Sequence, residues 1–236
     1  MPRWNAILTH VDKLLFPPAC LACNQRTDSA AELLCADCRS KLMPVSGKYC
    51  PHCGSPLQDY RCDACSHTNF SFDFARSAFV YDSPVKELVH RLKYESLRAP
   101  ADFFARSLLN IPAAARLTGS FDLVMAVPLH HVRQRERGYN QSELIARRLA
   151  SGLRIPFRKP VYRRSNTVSQ TNLSREARIS NLKGAFALHR KANIAGKRVI
   201  LVDDVFTTGT TVNEISKLLK TAGVARVAVL TAARAV

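Results

Sequence analysis

The sequence has no apolar run approaching the ~18 residues that mark a membrane-spanning helix. Arg3 sits near the start, but neither a long apolar stretch nor a small-residue cleavage site follows it, so no secretory leader is expected. Both absences point to a cytoplasmic protein without stable membrane insertion. Acidic residues are scarce: 18 Asp and Glu stand against 35 Lys and Arg, a net charge of +17. Cysteine is absent after Cys65, so the chemistry of all eight thiols belongs to the first part of the chain. What is present is 236 residues with 47% hydrophobic content, enough for one medium domain with a packed core and a smaller one.

The positive charge is concentrated. Residues 1–67, 68–132 and 199–236 each carry a net +1. Residues 133–198 hold 17 Lys and Arg against 3 acids, a net +14. A small phosphorylated ligand needs only a few cations. The surplus suggests a longer polyanion such as nucleic acid.

The eight cysteines form four C-x-x-C pairs: Cys20/Cys23, Cys35/Cys38, Cys50/Cys53 and Cys62/Cys65. A C-x-x-C turn presents two thiolates to one metal, and two such pairs complete a four-cysteine zinc site. Four pairs therefore predict two structural zinc ions. Disulfides do not suit a cytosolic chain, and redox dithiols do not usually come in fours. Chain order favours Cys20/Cys23/Cys35/Cys38 for one ion and Cys50/Cys53/Cys62/Cys65 for the other, with a crossed pairing left open. Gly54 suits the tight turn after Cys53, and His52 and His67 are not needed as ligands. The near-neutral charge here reads as a scaffold or docking module rather than a finger gripping phosphates.

Around this module, apolar spacing predicts a helix over 4–16, ended by Pro17-Pro18 and packed on the rest of the protein. Residues 70–82 read as a strand pair or an extended linker. Helices are expected over 86–94 and 100–110, with Lys93 and Tyr94 either facing a site as a lid or lying on a solvated face. Phe121 to Pro128 is a buried strand, followed by a basic loop and a helix over about 141–152. Residues 154–183 are polar and basic, as a binding loop would be. Arg175 and Arg178 share one face of any helical turn there, open to phosphate or to nucleic acid. Ala185 to Leu188 is expected to form a short strand pairing towards Val199, and Val224 to Thr231 a final strand.

The most informative stretch is Val199-Ile200-Leu201-Val202-Asp203-Asp204-Val205-Phe206-Thr207-Thr208-Gly209-Thr210-Thr211. The apolar run suits a strand covered on both faces. Two carboxylates then fall at its carboxyl end, where open α/β sheets bind ligands. The hydroxyl-rich turn and the start of a helix over about 211–222 offer donors for a phosphate. Gly209 permits positive φ and a close approach to a ligand. Acceptors for sugar hydroxyls beside donors for a phosphate suit a ribose 5-phosphate.

This segment resembles the PRPP-binding signature of type I phosphoribosyltransferases. The resemblance implies that Asp203 and Asp204 bind the ribose hydroxyls and that Thr207, Thr208, Gly209, Thr210 and Thr211 hold the 5-phosphate. It also implies that Mg²⁺ accompanies PRPP, and that the loop Leu129 to Asn140, with Arg133 and Arg137, wraps the pyrophosphate. Residues 154–183 correspond in place to the mobile loop that closes such sites.

Wider still, the order of motifs resembles the ComF family of double-zinc-ribbon phosphoribosyltransferase-like proteins. That order is the four C-x-x-C pairs, Leu92-Lys93-Tyr94, Val127-Pro128, Arg137-Gly138-Tyr139-Asn140-Gln141, Gln170 with Arg175 and Asn181, and the Asp-Asp-Thr-Thr-Gly signature. The implied fold is α/β, a type I phosphoribosyltransferase-like parallel sheet flanked by helices and preceded by a small double zinc ribbon. The expected division is an N-terminal helix and ribbon over 1–67, a linker with helices and a possible hood over 68–120, and the phosphoribosyltransferase-like domain over 121–236. The resemblance further implies a role in DNA uptake during natural transformation, with competence-machinery proteins as partners. Two functions are carried forward: a phosphoribosyltransferase of unknown acceptor, and a single-stranded DNA binding competence factor that reuses the fold. Arg163, Arg164, Arg175 and Arg178 are the candidates for nucleic acid. No residue identifies itself as catalytic.

Overall fold

The computed structural model describes residues 18–27, 29, 32–57, 61–165 and 184–236. The expected helix over 4–16 lies outside them, as do Gln170, Arg175, Arg178 and Asn181.

Each cysteine-rich unit is a knuckle followed by a short helix. In the first, residues 19 and 26 pair around Cys20/Cys23, and α1 (Ala36–Ser40) carries Cys38. In the second, residues 49 and 56 pair around Cys50/Cys53, and α2 (Asp63–His67) carries Cys65. The chain then enters β1 (Phe74–Val80), α3 (Val85–Tyr94) and α4 (Ala99–Leu109). Next come β2 (Leu123–Ala126), α5 (His131–Arg137), α6 (Gln141–Leu153) and β3 (Val161–Arg163). The last elements are β4 (Phe186–Leu188), β5 (Arg198–Phe206), α7 (Thr210–Thr221) and β6 (Arg226–Arg234).

Four strands form one parallel sheet in the order β1-β6-β5-β2. Parallel strands are covered on both faces, and the alternation along β5 shows how. Ile200 and Val202 pack into the layer made by Leu88, Leu92, Phe104, Leu108, Ile145 and Leu149 of α3, α4 and α6. Val199 and Leu201 pack against Ile215 and Leu219 of α7, with Phe70 and Phe72 and the buried Cys50 and Cys53 of the second knuckle beyond. Each such aliphatic side chain contributes about 1.5–3 kcal/mol of burial. The centre of the sheet is thus fully packed on both faces, and β5 delivers Asp203 and Asp204 from it.

Two expectations change. Ala185 to Leu188 does not pair towards Val199. Phe186–Leu188 instead pairs antiparallel with Val161–Arg163 in a separate two-stranded ribbon, because β5 already has β6 and β2 on its two sides. Residues 70–82, read as a strand pair or linker, supply β1, an edge strand of the main sheet paired with β6. The sheet therefore runs across the boundary expected at 120/121.

Candidate functional site

Asp203 and Asp204 lie at the carboxyl end of β5, in a cleft of about 250 Å³. Asp203 Oδ1 accepts bonds from Ser142 Oγ at 2.9 Å and from the Asp204 amide at 2.9 Å. Asp204 accepts three: Gln141 Nε2 at 3.1 Å, the Val205 amide at 2.7 Å, and Lys93 Nζ at 2.8 Å. Burial first, and then Asp204, pushes the Asp203 carboxyl up to about 7. Burial would lower the Lys93 ammonium, but the Asp204 carboxylate beside it more than offsets this and raises it.

The hydroxyl-rich turn follows. Thr207 and Thr211 line the cleft. Thr208 and Thr210 bond to each other through their Oγ1 atoms at 2.8 Å and shape the turn. Gly209 is the N-cap of α7 with φ +73°. The close approach it allows is to an aromatic pair: a Cβ there would meet Phe206 at 2.5 Å and Phe70 at 2.9 Å. The glycine lets the turn settle on an aromatic floor, with the amino end of α7 beside the cleft.

The basic segment after β2 is not the expected loop. His130 caps α5 by accepting the Val132 amide, and Gly138 ends it in the left-handed region. The helical turn puts Arg133 and Arg137, four residues apart, on one face, and both line the cleft. Arg137 donates to Gln141 Oε1 at 3.1 Å and lies over the Tyr94 ring at 5.0 Å. Asn140 then caps α6 by accepting the Ser142 and Glu143 amides, which aims Gln141 and Ser142 at the carboxylates. Gln141 and Ser142 escaped sequence reasoning as site residues. The Asn140 N-cap was the readable signal, since it starts a helix beside the end of β5.

Arg163 and Arg164 separate. Arg163 lines the cleft, and burial followed by Arg133 depresses its guanidinium. Arg164 is exposed, on the same two-stranded ribbon as the neighbouring Tyr162 and His189 rings, whose centroids are 4.8 Å apart. Arg175 and Arg178 lie outside the described residues. With Lys93, Arg133, Arg137 and Arg163 against two carboxylates, the cleft is net cationic and suits a ligand with several negative charges.

Both cysteine groups close in chain order, Cys20/Cys23/Cys35/Cys38 and Cys50/Cys53/Cys62/Cys65, with the Sγ atoms of each within 4.8 Å of one another. Neighbouring sulfurs are 3.7 Å apart in Cys23/Cys35 and Cys50/Cys65, and 3.4 Å in Cys53/Cys62. A tetrahedral zinc with Zn–S bonds of about 2.3 Å separates its sulfurs by about 3.8 Å, so both tetrads fit the ion. The geometry leaves no room for crossed pairing. His52 turns Nε2 to the Phe72 carbonyl at 2.7 Å, with Nδ1 3.9 Å from Cys65 Sγ, outside the tetrad.

Comparison with known proteins agrees with both halves. Residues 11–67 match the double zinc ribbon domain and residues 137–235 the phosphoribosyl transferase domain. The chain is 38% identical over 223 residues to Competence protein F of Haemophilus influenzae, covering 92% of this chain and 96% of that one. It is 32% identical over 222 residues to DNA utilization protein YhgH of Escherichia coli K12, covering 92% and 96%. Competence protein ComFC of Bacillus subtilis is 29% identical over 196 residues, covering 80% and 78%.

Proposed function

This chain belongs to the ComF family, and from that premise we propose that it is a cytoplasmic PRPP-binding protein that acts in DNA uptake and use. The observation that carries this reading is the convergence on one cleft of Asp203, Asp204, the Thr207–Thr211 turn and three arginines. Carboxylates at the end of β5 accept the ribose hydroxyls. The turn and the amino end of α7 hold the 5-phosphate. Arg133, Arg137 and Arg163 face the pyrophosphate, and the crowding of Arg163 by Arg133 is relieved when an anion arrives. Magnesium carried in with PRPP supplies further charge neutralisation on the pyrophosphate.

Transfer to an acceptor breaks the bond from the anomeric carbon to the pyrophosphate oxygen and forms one to the acceptor. The cleft supports the departing charge through its arginines and orients the ribose through its carboxylates. The groups this chain brings to the cleft supply charge stabilisation, and no histidine is among the described residues that line it. The two zinc ions are structural.

The test is calorimetric titration of Mg·PRPP into the wild type and into an Asp203→Asn/Asp204→Asn variant, with metal content and folding checked. Micromolar binding, about −8 kcal/mol, is expected in the wild type and should vanish in the variant. A well-folded, zinc-loaded wild type that does not bind would mean the fold has been repurposed.

A second reading, single-stranded DNA binding, is favoured by one observation. The β3/β4 ribbon presents Tyr162, 40% exposed, beside the His189 ring at a 40° tilt and flanked by the exposed Arg164, Arg190 and Lys191. Exposed rings between cations are what single strands stack on, and such binding weakens steeply with salt. The two readings are compatible, since this patch adjoins the cleft through Arg163.

A further inference from the structure

The geometry points to Lys93 as a positioning residue of the cleft: its ammonium is the cation that brings joint ionisation of the adjacent Asp203 and Asp204, and so their acceptance of two hydroxyls, down into the neutral pH range. This deepens the reading of the cleft as a diol and phosphate site. Lys93 lies outside both domain matches, in residues 68–136, and reaches the carboxylates from α3.

Several contacts fix it there. Tyr139 donates its hydroxyl to the Leu92 carbonyl at 2.7 Å, tying the end of α3 to the start of α6, and Arg98 lies over the Tyr139 ring at 5.3 Å. Arg91, two residues before Lys93, donates to the Leu21 carbonyl at 2.5 Å and to Asn24 Oδ1 at 2.5 Å in the first knuckle. The helix is held from both sides, and Leu88 and Leu92 are fully buried beneath it. Lys93 is not a mobile surface cation that has drifted onto an acid.

The chemistry needs such a cation. Neighbouring carboxylates at a buried strand end repel each other, and one takes a proton unless a positive charge is near. Lys93 Nζ stands at ion-pair distance from the pair, 2.8 Å from Asp204 Oδ2. The charged groups facing the pair from other elements are Arg133 and Arg137 of α5 and Arg163 of β3, all lining the same cleft, while Tyr81 and Glu87 sit further out on the Lys93 side. The arginines line the part of the cleft open to an anion. Lys93 stays with Asp204.

The sign follows from the raised carboxyl. The folded chain holds the Asp203 proton more tightly than the unfolded chain, so stability falls as pH rises through about 7. Removing Lys93 extends protonation to higher pH, and a protonated carboxyl accepts hydroxyls poorly.

The experiment needs no ligand. The full, zinc-loaded chain is labelled with ¹³C at the aspartate carboxyls and titrated by NMR from pH 5 to 9, with Asp203→Asn used for assignment. In the wild type one carboxyl titrates near neutrality. In Lys93→Met that midpoint moves up by about one unit or more, a roughly tenfold fall in the ratio of ionised to protonated carboxyl at pH 7. Lys93→Arg keeps it near the wild-type value. A folded Lys93→Met with an unmoved midpoint overturns the proposal. A second readout uses the wild type alone: the Lys93 ε-carbon resonance must titrate with the same midpoint as the carboxyl, and its failure to do so also overturns it. Failure of PRPP to bind would be seen separately in the calorimetry and would leave this titration interpretable.

Discussion

Arg163 and Arg164 are adjacent in sequence and part company in space, so they assign the two proposed activities to different atoms. Arg163 faces the cleft beside Arg133, and Arg164 faces solvent on the Tyr162 patch. Arg163→Ala should weaken Mg·PRPP by about tenfold or more, the loss of one charge-assisted contact of about 1.5–3 kcal/mol. Arg164→Ala combined with Tyr162→Ala should leave PRPP binding within a few-fold and reduce single-stranded DNA affinity, with a shallower salt dependence. Calorimetry and fluorescence anisotropy at two salt concentrations check both, and equal loss of both ligands in both variants would contradict separable sites. A run of basic letters could not reveal this split, because the side of a two-residue-period strand on which each arginine falls depends on the pairing with β4. The carboxylates and the threonine turn were legible, since their spacing follows the strand directly. Lys93 was undecided from sequence: helical spacing puts it on the polar side of α3, and only packing shows that this side meets the end of β5.

The elements themselves were readable where hydrophobic period and length agreed, as in β5, α6 and α7. They were misread where pairing was a matter of competition. The 185–188 strand had the right composition and the wrong partner, because both sides of β5 were already taken. The basic loop after β2 proved helical because His130 and Gly138 supply a cap and a stop, a local signal outweighed by the reading of arginines as loop. The turn between β5 and α7 gives the clearest element-scale prediction. Gly209 combines φ +73° with a Cβ position 2.5 Å from the Phe206 ring. Gly209→Ala meets both the left-handed penalty and an aromatic clash, together a loss of about 1–3 kcal/mol in chemical denaturation. The turn must shift to relieve the clash, so Mg·PRPP affinity should fall as well. A variant of wild-type stability and affinity would show that the aromatic floor does not set the turn.

At the scale of the molecule, the two cysteine tetrads are not appendages, because each braces one wall of the cleft. The first holds α3 through Arg91, and with it Lys93. The second holds the other wall: Arg234 at the end of β6 donates to the Cys53 carbonyl at 2.7 Å and to Ser55 Oγ at 2.7 Å, and lies over the Phe206 ring at 4.9 Å. Gly54 has the same meaning, since a Cβ there would strike the Ala75 carbonyl at 2.5 Å, so the knuckle sits directly on β1. His52 and Asn213 add bonds from the knuckle and from α7 to the 69–72 segment between them. A segment this small would draw its folding energy from a bound metal rather than from a core of its own. Metal analysis should therefore find about two zinc ions per chain, falling to about one in a Cys50→Ser/Cys53→Ser variant. That variant should lose Mg·PRPP affinity even where circular dichroism shows the helices retained, because the floor beneath Gly209 has lost its support. Cys20→Ser/Cys23→Ser should instead act on the Lys93 wall and move the carboxyl midpoint upward. If both variants bind PRPP like the wild type after losing one ion each, the ribbons are independent modules, and the contacts through Arg91 and Arg234 are packing alone.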